Sequence, residues 1–238
     1  FTLCPITKIF IATSAMISII IPVINEEENL EKLLPYLQEN KAEEIIVVDG
    51  GSTDKSREVA KKFQVTLISS AKGRAKQMNA GAKAANGDLL YFVHADSLPP
   101  KSFSSAILNH LNETVQFGCF RSLFDTKNKF LLFNSYFSRF KGLMFRGGGQ
   151  TLWITKELFN RLKGYDESLQ LMEEYDFIKR ASQVSDYQVI QQDVLVSTRT
   201  YDYHGNFKTQ LVYALVMFGF FRGIPQDQLL KFAKFWLK

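Results

Sequence analysis

The feature that most constrains the fold is an alternation of short apolar runs with stretches of helical periodicity. The runs are short and rich in Ile, Val and Leu, as buried parallel strands are. They occupy residues 17–23, 44–48, 65–69 and 89–93. Predicted helices lie between them, with short connections. This β-α-β-α-β-α-β order predicts an α/β fold with a mostly parallel, doubly wound sheet and helices on both faces.

Local signals predict where these helices begin and end. Asn25 can cap the first helix, with Glu28 three residues later as in a capping box. The stretch "GRAKQMNAGAKAANG" predicts a helix from about Arg74 that stops at Gly87, a residue type favoured after helix ends. Beyond Pro100 the pattern predicts helices at 102–112, 129–142 and 174–182 and two at the C-terminus, with strands in "TVQFGCFRSLF", "GGGQTLWIT" and 189–200.

Polar residues follow three of the predicted strands. Asn25 follows the first, Asp49 ends the second, and His94 and Asp96 follow the fourth. Ligands of such sheets bind outside the carboxyl ends of the strands, so we expect these groups on one rim. Asp49 could accept a hydrogen bond from a base N–H or a ribose hydroxyl. The alternative is that Asp49 only forms the turn and caps the next helix.

Two further residues predict a site for a diphosphate. A lone carboxylate such as Asp96 can hold Mg²⁺ or Mn²⁺ together with phosphates and water, and the metal would neutralise a diphosphate leaving group. An Asx-turn before "LPP" is the competing interpretation of Asp96. Arg74 at a helix N-terminus predicts a phosphate contact.

The stretch "LMEEYDF" places Glu173, Glu174 and Asp176 within one helical turn. Carboxylates this close raise one another's pKa and can supply a general base. Acids favoured by a helix N-terminus are the alternative explanation. The chain has no G-x-G-x-x-G after its first strand and no G-x-x-x-x-G-K-[ST], which disfavours dinucleotide and P-loop binding.

Composition narrows the class of partner and the compartment. A chain of 238 residues predicts one large domain, with or without a small appendage. Its net charge of +5 suits anionic ligands, whereas no RNP-like motif, helix-turn-helix signature or basic block indicates nucleic acid. Cys4 and Cys119 have no partner at metal-like spacing. We therefore expect a reducing, cytoplasmic location.

Both ends of the chain raise the question of membrane contact. The uncharged run 9–24 could be a signal or a span, but Pro22 and Asn25 interrupt it and the first strand needs its second half. We therefore expect residues 1–15 to be an extension outside the fold. At the other end, Lys231, Lys234 and Lys238 alternate with aromatic residues. Peripheral contact at the inner face of the cell membrane and a solvated helix face both stay open.

Five segments, in order, resemble glycosyltransferase family 2 enzymes. They cover about 17–200 and read "ISIIIPVINEEENL", "EEIIVVDGGSTDKS", "GRAKQMNAGAKAANGDLLYFVHAD", "GGGQTLWITKELFNRLKGYDE" and "MEEYDF". The chain is most similar to a bacterial subgroup with "GRAxQMNxG" and "HAD". The resemblance implies a GT-A fold over 16–205, with a nucleotide half at about 16–100, an acceptor half at about 101–205, and a C-terminal helical appendage at 206–238.

On the donor side, the resemblance implies roles position by position. Asp49 matches the first acid of the usual "DDGS" pair, and Gly50 replaces the second, which puts uridine specificity in question. His94 and Asp96 match the outer positions of the family's D-x-D, so both are implied metal ligands and Asp96 keeps the acid. The remaining implied contacts to the nucleotide sugar are Pro22, Ile24 and Asn25 around the base, Arg74 near the nucleotide, and Arg199 and His204 over the diphosphate.

On the acceptor side, Glu173 and Glu174 match the family's Glu-Asp pair. Glu174 stands at the catalytic base, one methylene longer than the usual Asp. Gln150 matches the acceptor-side "GDQ"-like turn, with Gly149 where an acid is commoner. These matches imply inverting transfer of a sugar from a nucleotide diphosphate sugar, a UDP-sugar first, with Mn²⁺ or Mg²⁺. The acceptor is unknown, and a lipid-like or carotenoid-type molecule fits the Phe-rich second half.

Three alternatives remain at this point, and one of them is a membrane-surface scaffold that uses the Phe- and Lys-containing helices at the C-terminus. Gly50, His94 and Glu174 depart from the family pattern together, which is typical of a non-catalytic nucleotide-sugar-binding module. A nucleotidyltransferase would share the sheet and the metal-binding Asp. It would normally carry a glycine- and lysine-rich signature after the first strand, where this chain has "PVINEEEN".

Overall fold

The computed structural model describes residues 15–146 and 150–237, which form an eight-stranded sheet covered by helices. The strands are β1 Ile17–Val23, β2 Glu44–Asp49, β3 Thr66–Ser69, β4 Leu89–Phe92, β5 Ser97–Leu98, β6 Phe117–Phe124, β7 Leu152–Thr155 and β8 Tyr187–Val196. The helices are α1 Glu27–Glu39, α2 Ser56–Lys62, α3 Arg74–Ala84, α4 Phe103–His110, α5 Lys129–Tyr136, α6 Lys156–Arg161, α7 Glu173–Ala181, α8 Arg199–His204, α9 Asn206–Phe221 and α10 Gln226–Trp236. Single 3₁₀ turns occupy Phe137–Arg139 and Leu143–Phe145.

The strand order is β3-β2-β1-β4-β7-β6-β8-β5. The first four strands are parallel, which confirms the doubly wound arrangement predicted for this part. Beyond β4 the directions mix, because β7 runs antiparallel to both β4 and β6 while β8 is parallel to β6. Both predicted halves therefore contribute to a single α/β sheet.

Both faces of this sheet are buried. Along β1, Ile19 and Ile21 pack on one side with α1, while Ile20 packs on the other side with α3. This is why β1 reads as a continuous apolar run rather than an alternating one. On the second side, α3 lies very close to the sheet, since a Cβ at Gly81 would collide with the side chain of Ile20.

Four local predictions were wrong. Asn25 does not cap α1: it has a φ of 57° and precedes a helix whose N-cap residue is Glu26, without a side-chain cap. Gly87 does not end α3, which stops at Ala84; Gly87 instead packs against the backbone of Met16 and Ser18.

The other two concern the ends of later elements. The strand predicted over 189–200 stops at Val196, and Arg199 begins α8. The helix predicted over 129–142 ends at Tyr136 and continues as a 3₁₀ turn. The two-residue strand β5, which pairs with β8 through Ser97 and Val196, was not predicted.

The ends of the chain are only partly described. Residues 1–14 of the predicted extension lie outside the described residues, and Ala15 is buried beside β1 in the core. The two predicted C-terminal helices are present as α9 and α10. Within the described ranges, no helix combines the length and apolar character needed to cross a membrane.

Candidate functional site

Two loops at the carboxyl ends of β1 and β2 are hydrogen-bonded to each other. The Asn25 Oδ1 atom accepts from the backbone N–H of Thr53 at 2.8 Å, and the Asn25 N–H donates to Ser52 Oγ at 3.0 Å. One residue further, the Glu26 N–H donates to Ser56 Oγ at 2.9 Å. The side chain of Asn25 therefore joins the two loops, and the contacts between the loops fix this edge of the rim.

Asp49 lies at the end of β2 and is 1% exposed. One carboxylate oxygen accepts from the Ser52 N–H at 2.9 Å and the other from Arg57 at 3.0 Å. Burial would raise the pKa of Asp49, but the hydrogen bonds from Ser52 and Arg57 outweigh it and lower the pKa. Asp49 thus performs the turn-forming role, and its contact with a base stays a prediction.

Gly50 follows Asp49 and is packed against Gln77 of α3. Gln77 is 3% exposed, and its Nε2 donates to the carbonyls of Val23 at 2.9 Å and Val48 at 2.8 Å. A Cβ at Gly50 would lie 2.8 Å from Gln77 Cδ. The space that a side chain at this position would need is therefore filled by Gln77, which explains why an acid is absent here.

We expect Gly50→Ala to lower the free energy of unfolding by about 1–3 kcal/mol, because the added methyl displaces a buried, bonded amide. Gln77→Ala alone should also cost about 1–3 kcal/mol, since the carbonyls of Val23 and Val48 each lose one donor. In the Gln77→Ala background, Gly50→Ala should lower the free energy of unfolding much less. The two substitutions should therefore show an interaction energy of about 1 kcal/mol or more. Urea unfolding of the four proteins measures this cycle. Strictly additive losses would contradict the packing argument.

The two predicted catalytic acids begin α7 and are both buried. Glu173 Oε1 lies 3.5 Å from the guanidinium of Arg74, and Glu174 Oε1 lies 3.1 Å from Nε2 of His94. Burial raises the pKa of Glu173; Arg74 opposes this and the neighbouring Glu174 adds to it. The structure therefore joins groups from β4, α3 and α7 that are far apart in the sequence.

Arg74 is the cation at the centre of this cluster. Burial lowers the pKa of Arg74, but the charges of Glu174, Glu173 and Asp96 outweigh burial and raise the pKa. Arg74 opens α3 behind Gly73, whose φ of 139° is rarely adopted by other residues. A half-exposed guanidinium at a helix N-terminus suits a phosphate, as predicted.

Asp96 follows β4 at the same rim. In the part of the chain that the structure describes, its carboxylate makes no hydrogen bond or ion pair, although Arg74 and Arg199 both experience its charge. Its backbone carbonyl accepts from the Ser197 N–H at 3.2 Å, which ties the end of β8 to this loop. A half-buried carboxylate whose charge acts on two arginines is available for a ligand.

A divalent cation at this rim would have few protein ligands. Among residues 15–146 and 150–237, no three or more His, Cys, Asp or Glu side chains are grouped to hold a metal ion. A single carboxylate with phosphate oxygens and water is a common set for Mg²⁺, and Asp96 fits it. His94 fits it less well, because its Nε2 contacts Glu174.

Arg199 reaches across the rim from α8 to the first loop. Its guanidinium contacts both carboxylate oxygens of Glu26, at 2.7 and 3.2 Å. Arg199 therefore bridges the predicted donor and acceptor halves beside Asp96. His204, at the far end of α8, contacts the ring of Tyr203. No contact joins His204 to the acidic cluster within the described residues.

Gln150, which the sequence places on the predicted acceptor side, is buried. It lines a small cavity together with Glu174, Tyr175 and Arg146. Its Nε2 donates to the Phe145 carbonyl at 3.4 Å, while no partner for its Oε1 is found in the described part of the chain. The neighbouring Gly149 lies outside the described residues. The structure thus places Gln150 and Glu174 on the same small cavity, and the role of Gln150 stays a prediction.

Pro22 and Ile24 frame the end of β1. Pro22 is opposite Val48 in the parallel pair β1–β2, and Ile24 is half-buried at the start of the loop. Three other residues with contacts around the site were not predicted from the sequence: Arg57, Gln77 and Asn79. Gln77 and Asn79 belong to "GRAKQMN", so the motif itself was the signal that could have identified them.

Comparison of the chain with known proteins identifies its family. Residues 18–167 match Glycosyl transferase family 2. A glycosyltransferase of Rickettsia typhi is 30% identical over 208 residues, covering 79% of this chain and 65% of that protein. A dolichol-phosphate mannosyltransferase of Pyrococcus furiosus is 36% identical over 93 residues, covering 35% of this chain and 26% of that protein. The chain spans a third to two thirds of the length of the first curated relatives it matches.

Solved structures agree on the fold. A mannosyltransferase of Pyrobaculum calidifontis, in complex with GDP-mannose and Mn²⁺, superposes with a TM-score of 0.66 at 19% identity, covering 85% of this chain and 62% of that one. Glucosyl-3-phosphoglycerate synthase of Mycobacterium tuberculosis, with Mn²⁺, UDP and its product, gives 0.59 at 18% identity, covering 94% and 86%. The sheet and its flanking helices are those of the GT-A fold, and the chain belongs to glycosyl transferase family 2.

Proposed function

We propose that this chain is a metal-dependent, inverting glycosyltransferase. It would move a sugar from a nucleotide diphosphate sugar, with a UDP-sugar as the first donor to test, to a hydroxyl or carboxyl group of a lipid-like acceptor. The observation that carries the proposal is the meeting of Asp96, Arg74 and the Glu173–Glu174 pair at one rim of the sheet. A guanidinium that would bind phosphate and a buried carboxylate that would act as the base are then neighbours in one site.

On the donor side, Asp96 would hold Mn²⁺ or Mg²⁺, and the ion would neutralise charge on the diphosphate leaving group. Arg74 would bind a phosphate oxygen from the N-terminus of α3. The bond between Arg199 and Glu26 supports a role in closing this side, because it joins α8 to the loop after β1. A diphosphate would compete with Glu26 for that guanidinium.

On the acceptor side, Glu174 would accept the proton of the attacking group. The acceptor oxygen then forms a bond to the anomeric carbon from the face opposite the nucleotide, and the bond from that carbon to the phosphate oxygen breaks. One displacement inverts the configuration. Glu173 and its partner Arg74 would link the base to the diphosphate end of the site.

His94 fits a positioning role toward the base better than a role as a metal ligand. Its Nε2 lies 3.1 Å from Glu174, and both side chains are largely buried. An imidazole in this place fixes which way the longer Glu side chain points. This offers a physical reason for the two departures from the family pattern, His94 and Glu174, to occur together.

A thermal-shift screen of nucleoside diphosphates with Mn²⁺ tests the donor site. A ligand that binds only the folded chain raises the melting temperature by about 5–10 °C when present at about 100 times its Kd. UDP and GDP are the first pair to compare, each with Mn²⁺ and with EDTA. If no nucleoside diphosphate shifts the transition, the donor-site proposal fails.

Donor hydrolysis separates the enzyme from the non-catalytic binding module and from the nucleotidyltransferase. An active site with a bound nucleotide sugar should slowly release nucleoside diphosphate to water in an Mn²⁺-dependent reaction. A non-catalytic binding module would show the thermal shift without this release. A nucleotidyltransferase would instead form pyrophosphate from a nucleoside triphosphate and a sugar phosphate.

A further inference from the structure

A large apolar surface is left uncovered on the side of α5 and α9. We call it the aromatic surface and define it as the exposed apolar side chains of residues 126–146 and 203–224. Its most exposed members in these two segments include Met144 and Phe207 at 75%, Phe133 at 65% and Phe218 at 56%. Patches of this extent on one protein generally mark an interaction site.

The two segments form one surface. Asn134 of α5 donates to Gln210 Oε1 of α9 at 2.7 Å, and Tyr201 bonds the same oxygen at 3.2 Å. Within the first segment, the ring of Phe137 contacts the rings of Phe133 at 5.1 Å and Phe145 at 6.2 Å. Helix α5 and the 3₁₀ turns after it are therefore continuous with α9.

Helix α9 is apolar on both sides. Val212, Val216 and Gly219 pack against the protein, while Phe207, Leu211 and Phe218 face outward. A helix that is apolar all round is ordinarily covered all round. With 16 residues this helix is short for a membrane span. A partner must therefore cover its outer side.

The charge around this surface selects the partner. Segments 126–146 and 203–224 contain no Asp or Glu, but their exposed cations include Lys127, Lys129, Lys141, Lys208 and Arg222. A symmetric dimer through this face would bring like charges together, with no carboxylate inside the surface to pair with them. An anionic lipid bilayer supplies both the apolar interior and the opposite charge.

We propose that the aromatic surface docks on an anionic lipid bilayer, with the outer sides of α5 and α9 in the interface. The surface adjoins the site: the ring of Phe221 lies 6.5 Å from that of Tyr175, the residue after Glu174. Docking therefore brings the base close to the membrane. That consequence rests on the proposed function, whereas the docking itself does not.

Sedimentation with lipid vesicles tests the proposal on the whole chain. We expect binding to phosphatidylcholine vesicles that contain phosphatidylglycerol, weaker binding to phosphatidylcholine alone, and release by high salt. The double variant Met144→Ser/Phe207→Ser should lose about tenfold or more in partition coefficient, because two exposed apolar side chains no longer enter the interface. Val184→Ser, which removes an exposed apolar side chain outside the surface, should bind as the wild type does.

A second pair of variants tests the charge at equal net change. Lys141→Glu/Lys208→Glu should weaken binding to the anionic vesicles, whereas Lys61→Glu/Lys62→Glu on α2 should change it much less. Thermal melting verifies that each variant is folded. Equal binding by all variants, or no binding by the wild type, would overturn the proposal. So would light scattering that shows a wild-type dimer and a monomeric Met144→Ser/Phe207→Ser protein. The nucleotide thermal shift, measured without lipid, shows separately whether the donor site is intact.

Discussion

Glu174→Gln is expected to lower glycosyl transfer by about 10²–10⁴-fold, the usual contribution of a general base. The amide keeps the size of the side chain and can still contact Nε2 of His94, but it cannot take the acceptor proton. Donor binding should persist, because Arg74 and Asp96 are unchanged. The measurement is the initial rate of nucleoside diphosphate release with acceptor present, alongside the thermal shift with the nucleotide and Mn²⁺.

Asp176→Asn is the matched control for this prediction. Asp176 lies two residues further along α7 but pairs with Arg180 at 2.8 Å instead of with the cluster. Its amide variant should retain transfer within a few-fold. If Glu174→Gln turned over nearly as fast as the wild type with the true acceptor, Glu174 would not be the base. If both variants lost activity equally, the effect would belong to the helix and not to the carboxylate.

Asp96→Asn should abolish the metal dependence of nucleotide binding. The change removes the charge that would hold the cation while keeping the side chain's size, and a divalent ion contributes several kcal/mol at such a leaving group. We expect the Mn²⁺-dependent part of the thermal shift to vanish and donor hydrolysis to fall by about 100-fold or more. Calorimetric titration of UDP in the presence and absence of Mn²⁺ gives the two affinities directly.

Asp88→Asn serves as the control on the same strand. Asp88 is exposed and immediately precedes β4, whereas Asp96 follows its carboxyl end. Its amide variant should bind UDP and Mn²⁺ as the wild type does. A metal-dependent shift that survived in Asp96→Asn would mean that the cation is held elsewhere. The Asx-turn interpretation of Asp96 would then be preferred.

The first half of the fold was predictable because its signals are local. Each strand from β1 to β4 is an apolar run, each connection is short, and right-handed crossovers leave few topologies. Strand direction beyond β4 was not predictable in this way. Whether β7 runs with or against β4 depends on where a long connection returns, and nothing within "TLWIT" records that. Strand β5 has two residues, too few for any periodicity.

The site was predictable as a set of residues and not as a set of contacts. The rule for strand ends selected Asp49, His94 and Asp96, and the family resemblance selected Glu174. The pairing of His94 with Glu174 spans 80 positions of sequence (174 − 94) and depends on how α7 packs. Asn25 shows the same difficulty, since a cap and a loop-to-loop bond use the same carbonyl oxygen. The role of Gln77 could not be predicted, because a polar residue on a helix is usually exposed.

Helix α3 carries the motif "GRAKQMN" and meets four different parts of the molecule within eight residues. Arg74 contacts the acids of α7, and Gln77 joins the ends of β1 and β2. Asn79 donates to the carbonyl of Tyr165, and Gly81 allows the helix to pack closely on the sheet. This segment therefore connects the predicted nucleotide side of the site to the predicted base. Random mutagenesis of this motif in search of altered donor choice would mostly return proteins that fail to fold, so engineering of specificity belongs in the loops around it.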